Sequence, residues 1–226
     1  MIELRQITKE YNTEDTKVVA LDNVSLKIDD GEYVGVMGRS GSGKTTLLNI
    51  ISGMETVTSG QLLCDGKDIT AMSVRELDAF RKNNISYIFQ NYLLINSYTV
   101  YENIEVPLIA KNIPSKIRRE IVGEMMEKTG ISHIAKKYPC HISGGQMQRC
   151  AIARALASDN KIILADEPTG ALDGKTAEEI MDLLAALRDE KRTIILVTHD
   201  EKIALQADRI ITIGDGKIIK DEVIKK

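Results

Sequence analysis

The residues of this sequence whose spacing points to chemistry begin with a glycine-rich loop at residues 38–45. The loop reads GRSGSGKT and fits the pattern G-x-x-x-x-G-K-[ST] at every fixed position. Its glycines allow successive backbone N–H groups to point at one anion, and a helix that begins near Lys44 adds its positive end. The side chain of Lys44 can reach the β- and γ-phosphates of a nucleoside triphosphate, and the hydroxyl of Thr45 is a ligand for Mg²⁺.

The flanks of this loop favour a phosphate site. An apolar run precedes it and a leucine-bearing segment with helical periodicity follows it, which gives the order strand, loop, helix. The alternative is a glycine-rich turn that binds nothing, which does not explain why both flanks match. The residues predicted to contact the nucleotide here are Gly38, Arg39, Ser40, Gly41, Ser42, Gly43, Lys44, Thr45 and Thr46.

Two carboxylates follow a second apolar run, residues 162–165. An acid at the carboxyl end of a parallel strand beside a phosphate loop is well placed to hold Mg²⁺, usually through water, and we predict this role for Asp166. Glu167 is the next residue, so its side chain points elsewhere and is predicted to accept a proton from the attacking water. The alternative is a solvated acidic end of a strand.

Two further polar residues also follow apolar runs. His199 comes shortly after residues 194–197 and is predicted to contact the γ-phosphate and orient the water, although a lone histidine is more often structural. Gln90 follows residues 85–89, where a glutamine can sense both Mg²⁺ and a docked partner. A single glutamine is more often an ordinary surface residue, so this signal is weak by itself.

A second helix start that can bind an anion is predicted at Ser143, Gly144, Gly145 and Gln146, directly before an amphipathic helix. One nucleotide does not easily use two such sites from a single chain. The economical arrangement is a dimer, in which this site faces the nucleotide held by the partner.

Together these motifs resemble the nucleotide-binding subunit of an ABC transporter, over nearly the whole chain. In that family's terms residues 38–45 resemble the Walker A loop, residues 162–167 the Walker B strand with its catalytic glutamate, and residues 143–146 the signature motif. The resemblance also implies roles for four single residues: Gln90 in the Q-loop, His199 as the switch histidine, Asp173 in the D-loop, and Tyr11 as the aromatic residue that stacks on adenine. The implied catalytic residues are Lys44, Gln90, Glu167 and His199, and the implied Mg²⁺ ligands are Thr45, Gln90 and Asp166.

The sequence departs from the family pattern at two positions. Ile142 stands where leucine is commonest and keeps an apolar residue for packing. Gly170 stands where serine is commoner, which affects one possible hydrogen bond between protomers.

The elements that position these motifs alternate between strands and helices. Loosely alternating residues over 2–28 predict two strands, and the wholly apolar runs before the motifs are typical of parallel strands buried between helices. Residues 91–140 contain no convincing strand and predict a helical subdomain inserted into a core of residues 1–90 and 141–226. We therefore expect an α/β fold, namely a P-loop NTPase core with a mainly parallel sheet, an N-terminal antiparallel β part and the inserted helical subdomain. Helices are predicted at 44–51, 73–81, 101–110, 116–129, 146–157 and 175–188, and later strands at 33–37, 61–64, 85–89, 162–165, 194–197, 209–213 and 217–220. In the helix at 116–129, Ile117, Ile121 and Met125 are spaced by four and predict its apolar face.

The bulk composition limits the class of function. The chain has 226 residues, of which 43% are hydrophobic and 28% charged, as in ordinary globular proteins. A net charge of −3 argues against nucleic acid as the main partner. No apolar run is long enough to span a membrane, and the first residues lack a signal-peptide core, so we expect a protein that is not exported. Cys64, Cys140 and Cys150 form no C-x-x-C pattern and are expected to be reduced thiols.

The resemblance narrows further at residues 165–173, which are similar to the branch of macrolide exporters, lipoprotein-release ATPases and bacitracin-type peptide-resistance transporters. It implies a homodimer that binds ATP and Mg²⁺ at the cytoplasmic face of the membrane. The dimer would drive a separate permease that exports, or confers resistance to, antimicrobial peptides or other amphipathic compounds. The permease is expected to dock near residues 91–101, which carry Tyr92, Leu93, Leu94 and Tyr98. The alternative is a non-transport ABC ATPase that regulates a membrane complex such as the cell-division machinery.

Overall fold

A computed structural model describes residues 1–12, 16–170, 172, 174–187 and 192–224. The chain divides into two compact units, which are Met1–Arg81 with Arg188–Lys226, and Lys82–Leu187. We call these the first and the second unit. The boundaries of these two units differ from those of the predicted core, residues 1–90 and 141–226, and of the predicted insertion, residues 91–140. That division remains a prediction.

An antiparallel sheet forms the N-terminal part of the first unit. Its strands lie in the order β2-β1-β4-β5. Their bounds are Ile2–Asn12 for β1, Lys17–Ile28 for β2, Ser59–Cys64 for β4 and Lys67–Asp68 for β5. Side chains of β1 alternate between the core and the surface at the start of the strand, where Ile2 and Leu4 are buried. This sheet is the predicted antiparallel β part.

Parallel strands form the rest of the first unit. Strand β3, Tyr33–Met37, lies between β8, Thr193–Val197, and β9, Arg209–Gly214, and pairs in parallel with both. All five residues of β8 are buried, which explains why the strand is apolar on both faces. The last strand, β10, Lys217–Val223, returns antiparallel to β9. Asp215 and Gly216, with φ of 47° and 76°, make the hairpin turn, because two successive residues with positive φ match the twist of the strands.

Helices surround a short parallel pair in the second unit. Strand β6, Ile85–Ile88, pairs with β7, Ile162–Asp166. The α-helices within the described residues of both units are α1, Lys44–Ile51; α2, Val74–Asn84; α3, Val100–Ala110; α4, Ser115–Lys128; α5, Gly144–Ala157; α6, Gly174–Ala186; and α7, Glu201–Ala204. Helices α3, α4 and α5 share one apolar core, formed by Val100, Ile104, Leu108, Val122, Met126, Ile131, Ile134, Cys150, Ala153 and Ala157.

The predicted elements are largely confirmed, and the differences have local causes. Strand β3 and helix α1 have the predicted bounds. Helix α2 continues three residues past its predicted end, and α5 starts two residues earlier than predicted, because Ser143 caps it. The predicted apolar face of α4 was wrong at Ile117, which is 45% exposed, since the buried residues Val122 and Met126 lie one position further round the helix. The short elements β5 and α7 and two 3₁₀ turns were not predicted.

The three cysteines are free thiols, and two of them lie in the core. Burial raises the pKa of Cys64 to about 11 and that of Cys150 to about 12, whereas Cys140 is exposed. Within the described residues, no helix combines the length and the apolar character that a membrane span requires.

Candidate functional site

The glycine-rich loop of the first unit connects β3 to α1 in a conformation that only glycine permits at two positions. Gly43 lies at the N-cap of α1 with a φ of 106°, and a β-carbon there would lie 2.4 Å from the carbonyl oxygen of Ala20. A β-carbon on Gly38 would lie 2.3 Å from the carbonyl oxygen of Ile213. The backbone of the loop is therefore drawn close to neighbouring strands, and both glycines are sterically required.

Lys44 turns its charge back onto the same loop. The residue is 6% exposed, and its ammonium group donates hydrogen bonds of 2.9 Å to the carbonyls of Gly38 and Arg39. An ammonium group has three N–H donors, so these two bonds leave one for a bound anion. No side chain caps α1, and the N–H groups of a helix's first turn have no partners within the helix. The loop thus offers a positive charge and backbone donors to a phosphate group.

The other predicted nucleotide residues on or next to the loop differ in exposure, and Thr46 is half-buried. Arg39, Ser40, Gly41 and Thr45 are exposed on or next to the loop. The Oγ of Ser42 is buried and has no hydrogen-bond partner in the part of the chain that the structure describes.

Two predicted residues of the first unit belong to other elements. Tyr11 lies near the end of β1 and is 38% exposed. His199 is exposed two residues after the end of β8, before Asp200, whose side chain caps α7. Its predicted role at the γ-phosphate remains a prediction.

The second unit brings Gln90 and Glu167 together. The amide Nε2 of Gln90 donates a hydrogen bond of 3.3 Å to Oε2 of Glu167. Glu167 has a φ of 44°, which is uncommon for a residue with a side chain and costs about 1 kcal/mol or more. This conformation turns the chain sharply after Asp166, which is the last residue of β7 and 9% exposed. Two consecutive carboxylates therefore have different surroundings and can perform different tasks.

Gly170 belongs to the same small site. A β-carbon at this position would lie 3.3 Å from Oε2 of Glu167 and 3.5 Å from Nε2 of Gln90. Because Gly170 has no side chain where serine is commoner in the family, space remains around the hydrogen bond between Gln90 and Glu167. Asp173, predicted to contact nucleotide in the D-loop, lies outside the described residues.

The signature residues form a capped helix start. The hydroxyl of Ser143 accepts a hydrogen bond of 3.3 Å from the backbone N–H of Gln146, and the side chain of Gln146 accepts one of 3.1 Å from the backbone N–H of Ser143. This reciprocal capping box fixes the start of α5. The hydroxyl hydrogen of Ser143 takes no part in these bonds and can be donated to a phosphate. Gly145 has no room for a side chain, because its β-carbon would lie 2.6 Å from Cγ2 of Thr176.

The three predicted Mg²⁺ ligands suit that ion chemically. Thr45, Gln90 and Asp166 offer a hydroxyl, an amide and a carboxylate oxygen, and Mg²⁺ in nucleotide sites takes one or two carboxylates with phosphate oxygens and water. The Gln90 bond to Glu167 uses the amide nitrogen and leaves the amide oxygen available. Each of the three side chains can therefore offer an oxygen ligand to Mg²⁺.

Arg154 is a residue of this unit that the sequence motifs do not include. Its guanidinium group donates hydrogen bonds of 2.7 and 2.6 Å to the carbonyls of Tyr92 and Leu93. These two residues have φ of 59° and 45°, so Arg154 stabilises an unusual bend that begins two residues after Gln90. An arginine among the buried alanines of α5 is the signal that points to such a role.

Comparisons with known proteins agree with these motifs. A family profile described as ABC transporter matches residues 21–170. The macrolide export ATP-binding/permease protein MacB of Hyphomonas neptunium is 43% identical over 221 residues, which is 98% of this chain and 34% of that protein. MacB of Aggregatibacter actinomycetemcomitans has the same identity and coverage. The chain therefore spans about a third of the length of the curated relatives it matches.

Two solved structures are similar over the whole chain. A dimeric ATP-binding cassette in a post-hydrolysis state, bound to ADP and phosphate, is 40% identical with a TM-score of 0.95, and the match covers 100% of both chains. A dimeric bacterial ABC transporter cassette is 42% identical with the same TM-score and coverage. These likenesses confirm the predicted fold class.

The position of Lys44 predicts a large effect of its removal. Lys44→Ala should weaken ATP binding by about 100-fold or more, because it removes the buried positive charge and the one N–H donor that is left for the phosphates. Isothermal titration calorimetry measures the dissociation constant. Lys27→Ala is the matched control, since it removes an equal charge from an exposed pair with Asp29 in the same unit. Tight ATP binding by Lys44→Ala would contradict the assignment of the loop.

Proposed function

This chain belongs to the ABC transporter family as one of its ATPase domains, and we propose that it binds and hydrolyses ATP to drive an exporter in a membrane. The observation that carries the proposal is the loop around Lys44, where a buried ammonium group, an uncapped helix start and sterically required glycines surround one anion site. Such a site is built for the phosphates of a nucleotide.

ATP binding joins two copies of the chain in this proposal. The start of α5 at Ser143 is a second place where a helix end and a hydroxyl can meet a phosphate, and it would contact the nucleotide of the partner. The solved cassettes that resemble this chain over its whole length are dimers, which supports the arrangement. Placing donors from two chains around the γ-phosphate stabilises the charge that shifts during phosphoryl transfer.

Hydrolysis depends on the carboxylate of Glu167. Its hydrogen bond to Gln90 and its strained backbone hold the carboxylate in one orientation, from which it can accept a proton from the attacking water. Bound Mg²⁺, held through Thr45, Asp166 and Gln90, would neutralise charge on the phosphates. Lys44 stabilises the same oxygens, and His199 would orient the water.

The exported compounds are amphipathic molecules such as macrolides. The relatives at 43% identity bear the name macrolide export protein, which favours export over the regulation of a division complex. Antimicrobial-peptide resistance is a narrower prediction that those names do not address. The same relatives combine an ATP-binding and a permease part, so we propose that this chain works with a permease at the cytoplasmic face of the membrane.

The permease would dock on the segment after Gln90. Leu93, Ile95 and Tyr98 are 56%, 38% and 41% exposed, whereas the predicted contact residue Leu94 packs against the helical core. The segment is firmly held, because the buried side chain of Asn103 bonds to the backbone of Ile95 at 2.7 and 3.1 Å. A rigid surface of exposed apolar side chains suits a protein contact.

Replacing the catalytic carboxylate tests the proposed activity. Glu167→Gln should lower the turnover number by about 100-fold or more, because an amide does not accept the proton, while ATP binding remains close to wild type. Phosphate release measures turnover and calorimetry measures binding. Glu179→Gln is the control, since it removes an exposed carboxylate of the same unit that pairs with Arg149. Unchanged turnover in Glu167→Gln would refute the proposed role.

Charging the docking surface tests the proposed partner. Tyr98→Glu and Leu93→Glu should abolish ATP-driven export while basal ATP hydrolysis by the isolated chain is unchanged, because these side chains lie on the surface. Ile109→Glu is the matched control, since Ile109 is an exposed apolar residue of the same unit, 49% exposed, outside the segment. Export measured in membrane vesicles that stays at the wild-type rate in both variants would place the contact elsewhere.

A further inference from the structure

Tyr11 is held by two neighbours that belong to no motif. The carboxylate of Glu55 accepts a hydrogen bond of 2.8 Å from the Lys9 ammonium through Oε1, and one of 3.3 Å from the Tyr11 hydroxyl through Oε2. The Lys9 ammonium also lies 4.9 Å from the centroid of the Tyr11 ring, which is within the range of a cation–π contact. One carboxylate therefore bridges the lysine and the tyrosine, and the lysine contacts both.

Strand β1 explains how the lysine and the tyrosine meet. Lys9 and Tyr11 are two residues apart, and the contact between the Lys9 ammonium and the Tyr11 ring shows that both side chains lie on the same side of the strand. Along the strand Ile7 is fully buried, Lys9 is 8% exposed and Tyr11 is 38% exposed. Exposure thus increases from Ile7 to Tyr11, and Tyr11 is the most exposed of these three side chains.

Glu55 connects this group to the helix that starts at the phosphate loop. It lies just after α1, and the backbone N–H groups of Met54 and Glu55 both donate to the carbonyl of Asn49, at 2.9 and 3.1 Å. Helix α1 begins at Lys44. The Tyr11 ring is therefore tied, through one carboxylate, to the same helix whose first turn holds the phosphate site.

The ion pair is more costly than a plain packing contact would be. A buried lysine requires a partner for its charge, and an apolar residue in its place is often as stable or more stable. The hydrogen bond from Lys9 is the main cause that lowers the pKa of Glu55, so the carboxylate is ionised at neutral pH and accepts from both neighbours. Lys9 is buried although its partner Glu55 remains 30% exposed, and burial of the lysine charge beside the Tyr11 ring favours a role in orientation.

We propose that Lys9 and Glu55 are positioning residues that fix the Tyr11 ring for stacking on the base of a nucleotide, with the base on the ring face opposite the ammonium. This inference rests on the proposed function, because it needs a nucleotide at the phosphate loop. A ring that is already held in place loses less conformational entropy when a base stacks on it. Lys9 and Glu55 therefore contribute to affinity for the base and not to affinity for the phosphates.

Two ligands separate these contributions. Calorimetry on the full chain compares ATP with inorganic tripolyphosphate, which has the phosphates but no base. Glu55→Gln should weaken ATP binding by about 3- to 10-fold, the usual effect of losing one such hydrogen bond, and leave tripolyphosphate binding unchanged. Tyr11→Phe removes only the hydroxyl and keeps the ion pair, so it should fold normally and show the same selective loss for ATP.

A double-mutant cycle distinguishes orientation from general stability. In a Tyr11→Ala background, Glu55→Gln should have no further effect on ATP binding, because there is no ring left to position. Glu10→Gln is the matched control, because Glu10 lies in the same strand, β1, and the change breaks its 2.9 Å ion pair with Lys17. This variant should change the affinity for neither ligand.

The outcomes separate this inference from the proposed function. Equal weakening of ATP and tripolyphosphate by Glu55→Gln, or a loss that persists in the Tyr11→Ala background, would overturn the positioning role. ATP binding by both Glu55→Gln and Tyr11→Phe at the wild-type level would overturn it as well. A wild-type chain that binds neither ligand would instead refute the proposed function.

Discussion

A buried positive charge at the start of helix α1 is the constraint on which the nucleotide site depends. Lys44 is 6% exposed, and a charge at that depth is tolerated only when polar groups surround it. The carbonyls of Gly38 and Arg39 meet this requirement, so the loop must curl around its own lysine. That curl brings Gly38 and Gly43 against neighbouring backbone, where any side chain would collide. Burial of the Lys44 charge therefore depends on the glycines of the loop and on the strand and helix that flank it.

The second unit positions its polar groups by backbone strain. Glu167, Tyr92 and Leu93 all have positive φ, a conformation that side chains disfavour. Each is held by a specific partner: Gln90 bonds to the Glu167 carboxylate, and Arg154 bonds to the carbonyls of Tyr92 and Leu93. Strained residues that are fixed by hydrogen bonds are typical of active sites and of segments that respond to a ligand. Gln90 lies directly between the carboxylate and the segment proposed to contact the permease.

Much of this arrangement could be predicted from the sequence, because local patterns determine it. The loop at residues 38–45, the strand before it and the helix after it follow from a fixed motif, and wholly apolar runs identified β7 and β8 as buried strands. The roles of Arg154 and Glu55 could not be predicted, since each depends on a residue more than 40 positions away. The face of α4 was misjudged at Ile117 for a similar reason, because the partners in the core decide which neighbouring stripe of a helix is buried. Residues that act through a local motif can thus be predicted from the sequence, whereas the residues that orient them can be identified only from tertiary contacts.

In the proposed dimer each ATP is bound by the phosphate loop of one chain and the signature residues of the other. Mixing two inactive variants tests it: Lys44→Ala disables the loop, and Ser143→Asp keeps the helix cap but places a negative charge against the phosphates. Each variant alone should hydrolyse ATP at a small fraction of the wild-type rate. Mixed dimers contain one complete site, so the mixture should recover up to about a quarter of the wild-type rate. A mixture no more active than the sum of its components would contradict the shared site.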